Sequence, residues 1–474
     1  MEKVLYINGE WTGSNLKKIE VLNPANGELV GTVASAGKVE TRVAIEAAHE
    51  AFGPWSRLTA YDRSAYLDRL YDLMIEQKEE IAEIMTKEMG KPLNESLGEV
   101  QYAASFIQWY SEEGKRVYGR SIPASAENKR MQVIKQPVGV VAAITPWNFP
   151  AAMITRKLGP ALAAGCTFIV KPPKETPLTA IKLVELCEKA GFPKGVVNLL
   201  TGPSSVIAEE IMDSDKVKKV TFTGSTEVGK MLIEQSAKTV KNVSMELGGH
   251  APSIVLDDAD LDKAVKGIVA SKFRNAGQTC ICINRVYVHE NKYEEFTKLL
   301  VEATRKLKVG NGMDEGTDIG PIINRDGYEK IKEHVDNAVE KGAACVLGGK
   351  GKDEGNACFY EPTVLKDVNH DMLIMNEETF GPVLPVQKIS TDEEGIRLAN
   401  SSPFGLAAYV YTESMSRGTR LIEGLDYGII GWNDGVPSAA QAPFGGFKES
   451  GIGREGGTEG MEAYLETKYV SIVI

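Results

Sequence analysis

The residues around Cys280 have the types and spacing expected around a reactive thiol. Residues 275–284 read NAGQTCICIN, so small and flexible residues lead into Cys280 and place a backbone N–H beside its sulfur. A thiolate can attack a carbonyl carbon, and that N–H can then donate a hydrogen bond to the developing oxyanion. The competing interpretation is that Cys280 is a small buried hydrophobic residue, the usual role of a free cysteine.

Two other segments could assist such a thiol. Glu246 begins the sequence ELGG at a predicted strand end, where its carboxylate could act as a base facing a cleft. Asn148 lies in TPWNFP, residues 145–150, a loop stiffened by two prolines that could hold an amide against an oxyanion. Each segment also has a simpler interpretation, Glu246 as a surface acid and the proline loop as a tight turn.

A glycine turn at residues 224–230 resembles a phosphate-binding loop only in part. GSTEVGK follows a predicted strand, but Met231 stands where a nucleotide hydrolase needs Ser or Thr to bind magnesium. Backbone N–H groups at the start of the next helix can still bind a pyrophosphate. The turn therefore favours dinucleotide binding over a P-loop NTPase, with an ordinary strand-turn-helix as the alternative.

The remaining histidines and cysteines argue against other chemistries. Cys282 follows Cys280 too closely for a CxxC pair, so we expect no metal site. The histidines lack HExxH spacing and an obvious acidic partner, which disfavours a cysteine or serine hydrolase. They are His49, His250, His289, His334 and His370. The other cysteines lie in apolar or glycine-rich segments, at Cys166, Cys187, Cys345 and Cys358.

The hydrophobic pattern predicts the scaffold that positions these residues. Apolar residues recur with helical period between Thr59 and Met89, and we predict that roughly the first hundred residues are rich in helix. After Pro137, short β-branched runs alternate with helical segments, as in βαβ units. We predict strands at 138–144, 167–171, 196–200 and 217–224. The pattern resumes after Gly249, with strands at 253–256 and 285–289 and a helix that begins near Asp260. We therefore predict a parallel, doubly wound α/β sheet and a second α/β domain.

Composition limits the classes of partner. The chain has 474 residues and is 43% hydrophobic, which suffices for two or three domains. Its net charge of −11 argues against a general nucleic-acid or anionic-membrane surface. The apolar run at 138–144 is far shorter than a membrane span, and the N-terminus lacks a signal-peptide pattern. Six cysteines without framework spacing fit a reducing compartment, so we expect a cytoplasmic protein.

Seven motifs taken in order resemble the aldehyde dehydrogenase superfamily from about Tyr6 to the C-terminus. They are PWNFP, KPP, TFTGS, ELGG, GQTC, EETFGP and PFGG. The resemblance implies that the Cys280 thiolate attacks an aldehyde, that Asn148 and the Cys280 N–H hold the oxyanion, and that Glu246 activates water to hydrolyse a thioester. It also places Lys157 in a proton relay behind Glu246, with Glu455 as its companion.

The same resemblance implies a binding site for NAD or NADP. It places these residues around the cofactor: Thr145, Trp147, Asn148, Lys171, Gly224, Ser225, Leu247, Glu378 and Phe380. Lys174 stands where NAD-preferring relatives often carry a glutamate for the adenosine ribose. A lysine there would attract a 2′-phosphate, so we favour NADP, although the adjacent Glu175 weakens the inference.

Finer matches are most similar to succinate-semialdehyde dehydrogenases. Arg156 and Arg274 could converge on the distal carboxylate of a short semialdehyde, and Ser438 could add a hydrogen bond. Each arginine could instead be solvated or form a structural ion pair. Glutarate semialdehyde would fit similar chemistry, because one methylene changes binding by only about 1 to 3 kcal/mol. A non-carboxylated aldehyde, or a binding role without catalysis, is the further alternative. Cys282 suggests a reversible disulfide with Cys280, or else a packing residue.

The resemblance also predicts the domain boundaries and the assembly. A Rossmann-like dinucleotide-binding domain would comprise residues 1–118 and 138–246, and a catalytic domain residues 247–440. Residues 119–137 and 455–474 would form a small β flap that joins subunits of a homodimer or homotetramer.

Overall fold

A computed structural model describes residues 2–354 and 357–474 of the chain. Met1 and residues 355–356 belong to the predicted domain ranges but lie outside the described residues. Two large, mainly parallel sheets form the centre of the molecule, flanked by helices. The α/β class predicted from the sequence is confirmed.

The helices begin and end at residues that the local sequence explains. Thr59 caps the second helix by accepting a hydrogen bond from the Asp62 N–H, and Gly90 ends the third in a left-handed conformation. The helices are α1 (Lys38–Ser56), α2 (Ala60–Glu76), α3 (Lys78–Met89), α4 (Leu93–Glu113), α5 (Ala152–Ala164), α6 (Pro177–Lys189), α7 (Ser204–Asp213), α8 (Thr226–Ser236), α9 (Leu261–Phe273), α10 (Tyr293–Thr304), α11 (Arg325–Glu340), α12 (Asp392–Asn400), α13 (Met415–Gly424) and α14 (Gly457–Glu462).

The strands are mostly short, and those at the centre of the sheets are fully buried. They are β1 (Glu2–Lys3), β2 (Leu5–Ile7), β3 (Glu10–Thr12), β4 (Lys18–Leu22), β5 (Leu29–Ala34), β6 (Arg120–Ile122), β7 (Lys129–Pro137), β8 (Val140–Ile144), β9 (Thr167–Lys171), β10 (Val197–Leu199), β11 (Val217–Thr223), β12 (Asn242–Glu246), β13 (Ala251–Val255), β14 (Ile283–His289), β15 (Ala344–Leu347), β16 (Gly351–Glu354), β17 (Ala357–Tyr360), β18 (Thr363–Lys366), β19 (Val383–Ile389), β20 (Phe404–Gly405), β21 (Ala407–Tyr411), β22 (Ile429–Trp432), β23 (Phe447–Lys448), β24 (Gly451–Ile452) and β25 (Leu465–Val473).

The first large sheet has the order β24-β12-β11-β8-β9-β10-β2-β3. Its five central strands, β12 to β10 in that order, are parallel. One face packs on a core that includes α4, α5 and α6, and the other on a core that includes α1 and α7. Because both faces are covered, these strands read as continuous apolar runs rather than alternating ones.

The second sheet has the order β15-β18-β19-β14-β13-β21-β22 and is parallel except at β15. The chain crosses into it directly after β12, through Leu247 to His250. The segment that contains Cys280 joins α9 to β14 in this sheet. The Glu246 end of the first sheet and the Cys280 segment of the second are thereby brought to one cleft.

Helices occupy most of the first hundred residues, as predicted, but they begin only at Lys38. Before the first helix begins at Lys38, the chain forms the strands β1 to β5, two of which extend the first large sheet. The helix-rich pattern therefore holds only from residue 38 onward. These strands are short and partly exposed, so each carries too few apolar positions to show a period.

A separate sheet of order β25-β7-β6 lies outside the two large sheets. β25 pairs with β7 along its whole length, from Leu465 opposite Pro137 to Val473 opposite Lys129. The sheet is largely exposed, and apolar side chains such as Ile134, Tyr469 and Ile472 face solvent. Among the helices of the described residues, none is long and apolar enough to cross a membrane.

Candidate active site

The segment before Cys280 has an unusual backbone. After α9 ends, Asn275, Ala276 and Gly277 take positive φ angles of 53°, 54° and 74°. Asn and Gly tolerate this left-handed region, whereas Ala does so at a cost. A Cβ at Gly277 would overlap the carbonyl of Gly381, so this position needs glycine. The tight turn presents Cys280, which is only half-buried, at a cleft.

Buried amides hold this turn in place. Gln278 donates from Nε2 to the Asn275 carbonyl at 3.1 Å and accepts on Oε1 from the Ile323 N–H at 2.9 Å. Glu95 accepts a hydrogen bond from the Asn275 N–H at 2.8 Å. Burial raises the pKa of Glu95 to about 7. Sequence reasoning missed Gln278 and Glu95, although GQTC itself contains the glutamine.

Two cavities meet at Cys280. The first, of about 190 Å³, is lined by Cys280, Arg156, Arg274 and Ser438 together with aromatic side chains. The second, of about 270 Å³, is lined by Cys280, Asn148 and residues from the turns after β8, β11 and β12. We call them the substrate cavity and the cofactor cavity, after the ligands that the sequence predicts for their residues. The sulfur therefore stands where a small molecule on one side could react with a ligand on the other.

The substrate cavity is cationic and aromatic. The Arg274 guanidinium lies 5.2 Å from the centre of the Phe149 ring, and that of Arg156 lies 4.3 Å from the centre of the Phe444 ring. Tyr102 lines the same cavity as Arg156 and Ser438, and burial raises the pKa of its hydroxyl. Tyr102 is a cavity residue that sequence reasoning missed, because a tyrosine on an amphipathic helix carries no motif. All three predicted substrate residues line this cavity.

Arg156 also belongs to a buried ion cluster. Glu455 forms ion pairs with Arg156 through one carboxylate oxygen and with Lys157 through the other. Lys157 also donates to the Thr223 hydroxyl at 2.6 Å. Burial lowers the pKa of Lys157, while the two cations hold the pKa of Glu455 below its ordinary value despite its burial. Arg156 thus combines the two roles left open by the sequence, cavity wall and structural ion pair.

Glu246 is the last residue of β12 and is 3% exposed. Burial raises its pKa well above the ordinary value, and the nearby Glu455 raises it further. Arg156, Lys157 and Arg454 partly oppose this shift. Within the described residues its Oε2 atom has no hydrogen-bond partner. An unpartnered buried carboxyl with a raised pKa holds a proton more readily than an ordinary glutamate, which suits a base.

The thiol of Cys280 does not ionise readily by itself. Burial raises its pKa to about 12, and the negative charges of Glu378 and Glu246 add to this effect, while Arg156 opposes it. A thiol with such a pKa is protonated at neutral pH, so its attack on a carbonyl requires a base. Glu246 is close enough to influence this titration and is the candidate base.

Asn148 is held from both sides. Its Nδ2 donates to the Gln278 carbonyl at 3.1 Å, which leaves a second N–H for another acceptor. Its backbone carbonyl accepts hydrogen bonds from Lys91 Nζ at 2.7 Å and from Asn275 Nδ2 at 2.9 Å. Lys91 pairs in turn with the buried Glu99. These contacts fix the predicted oxyanion amide beside the nucleophile turn.

Glu99 also supports the helix that follows Asn148. Its Oε1 accepts from the N–H groups of Ala151 and Ala152, at 2.9 and 3.2 Å, at the start of α5. A carboxylate at a helix N-terminus is electrostatically favourable. Sequence reasoning missed Lys91 and Glu99, since charged residues beside and within an amphipathic helix normally face solvent.

The cofactor cavity gathers most of the residues predicted for it. Its lining includes Trp147, Asn148, Gly224, Ser225, Leu247, Glu378 and Phe380. Trp147 and Phe380 pack edge to face with ring centres 5.5 Å apart. Burial raises the pKa of Glu378 to about 7, although its Oε1 accepts from the Gly249 N–H at 3.3 Å. Lys330, which the sequence did not single out, also lines the cavity.

The walls of this cavity fit a dinucleotide. Ser225 caps α8, so the first turn of an 11-residue helix faces the turn at Gly224. A Cβ at Gly248 would lie 3.3 Å from Glu378 Oε2 and from Thr226 Oγ1, so the glycine keeps this wall open. Thr145 is buried after β8, and no partner for its hydroxyl is found among residues 2–354 and 357–474.

The two lysines predicted for the cofactor site, Lys171 and Lys174, do not line the cofactor cavity. Lys171, at the end of β9, is buried and donates to the Ser204 hydroxyl at the start of α7. Burial lowers its pKa to about 8. The Lys174 side chain is 75% exposed and lies 3.7 Å from Glu175. Lys174 borders a further cavity of about 260 Å³ together with Glu175 and Glu88.

Cys282 lies behind the turn rather than in either cavity. It is 1% exposed, and its Sγ lies 3.3 Å from the Gly277 carbonyl and 3.8 Å from Lys272 Nζ. Burial raises its pKa, and Lys272 opposes that shift. Among the described residues, no group of three or more His, Cys, Asp or Glu could hold a metal ion.

A roomier cavity, of about 460 Å³, lies elsewhere. It is bounded by exposed cations such as Arg305 and Lys350 and contains none of the predicted site residues. Size alone would point to it, but the unpartnered carboxyl, the strained turn and the thiol are all found at the smaller pair of cavities.

Known proteins match the chain along nearly its whole length. The family model described as "Aldehyde dehydrogenase family" matches residues 11–470. Glutarate-semialdehyde dehydrogenase of Pseudomonas putida is 53% identical over 99% of this chain and 97% of its own length. Succinate-semialdehyde dehydrogenase [NADP(+)] of Escherichia coli is 52% identical over 98% of this chain and 97% of its own. A crystal structure of succinate-semialdehyde dehydrogenase from Burkholderia pseudomallei has a TM-score of 0.98 at 50% identity, covering 100% of this chain and 98% of that one.

Proposed function

The chain belongs to the aldehyde dehydrogenase family and is an NAD(P)-dependent oxidoreductase, and we propose that it oxidises short aldehydes with a distal carboxylate, above all succinate semialdehyde. The observation that carries this proposal is the pair of guanidinium groups, Arg156 and Arg274, in the small cavity that ends at Cys280. The relatives named for succinate and glutarate semialdehyde add support.

The first step forms a bond between the Cys280 sulfur and the aldehyde carbon. Because burial raises the pKa of this thiol to about 12, Glu246 removes its proton as the sulfur attacks. The free N–H of Asn148 and the backbone N–H of Cys280 then hold the oxyanion of the thiohemiacetal. Two hydrogen bonds keep Asn148 in position. Lys91 donates to its backbone carbonyl, and its side-chain amide donates to the Gln278 carbonyl.

The oxidation step uses the cofactor cavity. A bound nicotinamide dinucleotide supplies an acceptor for the hydride that leaves the thiohemiacetal carbon, which yields a thioester on Cys280. Trp147, Glu378 and Phe380 would hold the nicotinamide end, and the start of α8 the pyrophosphate.

Hydrolysis of the thioester completes the reaction. After the thiol proton has been released to solvent, Glu246 takes a proton from a water molecule, the hydroxide adds to the acyl carbon, and the carbon–sulfur bond breaks. The Cys280 sulfur leaves as a thiolate and regains its proton. The unpartnered Oε2 of Glu246 supports this role, because that oxygen is available to a water molecule.

The arginines determine which aldehydes enter productively. A carboxylate that leaves water needs charge-assisted hydrogen bonds, and Arg274 and Arg156 offer planar donors for them. Ser438 adds a hydroxyl donor on the same wall. The cavity of about 190 Å³ is smaller than typical drug-sized sites, which favours chains of four or five carbons.

Steady-state rates on four aldehydes test this proposal. We expect kcat/KM to be highest for succinate semialdehyde, followed by glutarate semialdehyde, with betaine aldehyde and an apolar aldehyde far lower. Arg274→Met should lower kcat/KM for the two carboxylated aldehydes by about 10- to 100-fold and leave the apolar aldehyde nearly unchanged. Arg274 is the cleaner choice, because Arg156→Met would also leave Glu455 with one partner fewer.

Arg305→Met serves as the matched control, because Arg305 is exposed in the distant cavity. It should leave all four rates unchanged. A preference for carboxylated aldehydes that survives Arg274→Met would overturn the proposed substrate class.

We also propose that NADP is preferred over NAD. Lys171, at the end of β9, donates to Ser204 at the start of α7, and the exposed Lys174 adds a positive charge nearby in sequence. These groups would favour an adenosine 2′-phosphate. The E. coli relative, whose name specifies NADP(+), agrees with this preference.

Two further roles rest on the same family membership. We propose that the exposed sheet of β6, β7 and β25 joins subunits of a homodimer or homotetramer, because its apolar side chains need cover. We propose that peroxide converts Cys280 and Cys282 to a reversible disulfide, which requires the turn at Gly277 to open, since Cys282 is buried. If peroxide inactivated Cys282→Ala and a reductant restored it in the same way as the wild type, this disulfide would be excluded.

A further inference from the structure

Phe149, the residue after Asn148, carries two cations against its ring. Lys91 Nζ lies 4.0 Å from the ring centre, and the guanidinium carbon of Arg274 lies 5.2 Å from it. A cation within about 6 Å of a ring centre is attracted by the π electrons of the ring. Phe149 is half-buried and lines the substrate cavity. Its ring therefore joins the arginine proposed for the substrate carboxylate to the lysine that holds the Asn148 carbonyl.

A second connection between the same two sites runs through hydrogen bonds. Asn275 follows Arg274 directly, and its Nδ2 donates to the Asn148 backbone carbonyl at 2.9 Å and to the Gln278 carbonyl at 3.2 Å. The Asn148 Nδ2, which is the predicted oxyanion donor, donates to the same Gln278 carbonyl at 3.1 Å. The two side-chain amides thus share one acceptor. A displacement of the backbone at Arg274 would therefore be transmitted to the Asn148 amide.

Arg274 lacks a protein partner for part of its guanidinium. Its Nε is buried and has no hydrogen-bond partner within the described residues. Arg156, which lines the same cavity, already pairs with Glu455. Glu95 supports the backbone beside Arg274 by accepting a hydrogen bond from the Asn275 N–H at 2.8 Å. A buried donor without a partner is costly, so an anion that reaches Arg274 gains a charge-assisted hydrogen bond and fixes the side chain.

We propose that the distal carboxylate of the substrate activates the reaction as well as binding to the enzyme. By fixing Arg274 it fixes Phe149 and Asn275, and these order the Asn148 amide for the oxyanion. Phe149 is thus a positioning residue. The inference rests on the proposed function. Energy gained by binding a remote part of a substrate can be used to orient the reacting groups, and it then raises kcat rather than lowering KM.

A carboxylate that is not joined to the aldehyde should activate the enzyme in the same way. Acetaldehyde and acetate together contain the same carbon and oxygen atoms as succinate semialdehyde. The cavity of about 190 Å³ that holds the one substrate should therefore hold the pair, with the aldehyde at Cys280 and the anion at Arg274. Acetate is then an activator for acetaldehyde and a competitor for succinate semialdehyde.

The test measures hydride transfer in the first turnover of the wild type. NADPH absorbance gives the burst rate constant with NADP and saturating acetaldehyde, while sodium acetate replaces sodium chloride at constant ionic strength. The burst rate constant should rise by about tenfold as acetate fills the site, because the Asn148 amide is then ordered. The inhibition constant of acetate against succinate semialdehyde gives the concentration at which the site is filled.

Variants of the two linking residues identify the connection. Arg274→Met should abolish the activation by acetate, because no guanidinium remains to bind it. Phe149→Leu should lose most of the activation, whereas Phe149→Tyr, which keeps an aromatic face, should retain it. With succinate semialdehyde, Phe149→Leu should lower the burst rate constant by about tenfold and change KM far less.

Two further variants separate positioning from packing. The double variant Arg274→Met/Phe149→Leu should transfer hydride from succinate semialdehyde no more slowly than Arg274→Met alone, because the ring acts through the arginine. Tyr61→Leu removes an exposed ring whose centre lies 5.8 Å from Lys115 Nζ and which lines neither cavity. It should behave as the wild type. Melting curves establish that each variant is folded.

The outcomes distinguish this activation from the proposed function. A wild type that transfers hydride from succinate semialdehyde no faster than from acetaldehyde would overturn the proposed function. A wild type that prefers succinate semialdehyde, yet shows no rise in the acetaldehyde rate when acetate fills the site, would overturn the activation alone. Full activation in Phe149→Leu, or an equal loss in Phe149→Tyr, would reject Phe149 as the positioning residue. So would a double variant in which the two single losses combine in full.

Discussion

The two cavities that meet at Cys280 are built in different ways. The cofactor cavity is formed mainly by turns at the carboxyl ends of parallel strands, β8, β11 and β12. The substrate cavity is formed by side chains from α4, α5, the turn after α9 and the loop after β22. Sheet topology therefore determines where the dinucleotide would lie. Individual side chains determine which aldehyde would bind.

This difference predicts that substitutions will have three kinds of effect on activity. Changes in the wall that both cavities share should affect every aldehyde with either cofactor. Changes confined to the substrate cavity should affect only carboxylated aldehydes, and changes near Lys174 only the choice of cofactor.

The largest effect is expected at the shared sulfur. Cys280→Ser should lower kcat by at least about 10⁴-fold for all aldehydes and both cofactors, because an alcohol is a much weaker nucleophile. Cys282→Ser, the matched control two residues away, should keep most of the activity. Steady-state assays on both variants measure this, and loss of activity only in Cys282→Ser would reverse the assignment.

The next effect is expected at Asn148, which also borders the sulfur. Asn148→Ala should lower kcat by about 10²- to 10³-fold for carboxylated and apolar aldehydes alike, since one oxyanion donor is lost. Cofactor binding, followed by NADPH fluorescence, provides the control and should weaken far less. An effect restricted to carboxylated aldehydes would place Asn148 in substrate recognition instead.

A smaller and selective effect is expected at Ser438. Ser438→Ala should lower kcat/KM for succinate semialdehyde by about tenfold, because one hydrogen bond to a charged group is lost. The rate on an apolar aldehyde should stay the same. Equal losses on both aldehydes would show that Ser438 shapes the cavity through Tyr102 rather than binding the carboxylate.

The smallest effect is expected at Lys174. Its side chain is 75% exposed, and exposed charges contribute little, so Lys174→Ala should lower the ratio of kcat/KM for NADP over NAD by about two- to fivefold. The effect should fade at high salt. Lys218→Ala, another exposed lysine, should leave the ratio unchanged, and an equal change there would remove the specific role of Lys174.

The sequence predicted the residues that line the cofactor cavity better than the buried residues that hold the site in place. Trp147, Gly224 and Leu247 lie at strand ends that the βαβ rhythm marks, so local pattern and motif coincide. The α/β class and the helix after Asp260 followed from the same periodicity. The bounds of the strands β1 to β5 did not, because their apolar positions are too few to show a period.

The supporting residues could not be predicted from local pattern. Lys91, Glu95 and Glu99 look like ordinary charged residues in and beside α4, yet they hold the Asn148 loop, the nucleophile turn and the start of α5. Their burial depends on tertiary packing between segments 50 to 180 residues apart. The ion pairs of Glu455 with Arg156 and Lys157 likewise join residues that lie far apart in the sequence. The family resemblance had linked Glu455 only to Lys157.

Trapping the acyl enzyme tests the central claim most directly, namely that Cys280 joins the two cavities chemically. Glu246→Gln removes the base for hydrolysis, so the enzyme should produce NADPH slowly from succinate semialdehyde and NADP and then stop with the thioester in place. Mass spectrometry of the peptide that spans Cys280 and Cys282, with fragmentation between them, locates the acyl group. The account predicts a succinyl group on Cys280 that forms only when NADP is present. A succinyl group on Cys282, or an unmodified peptide after NADPH has formed, would contradict it.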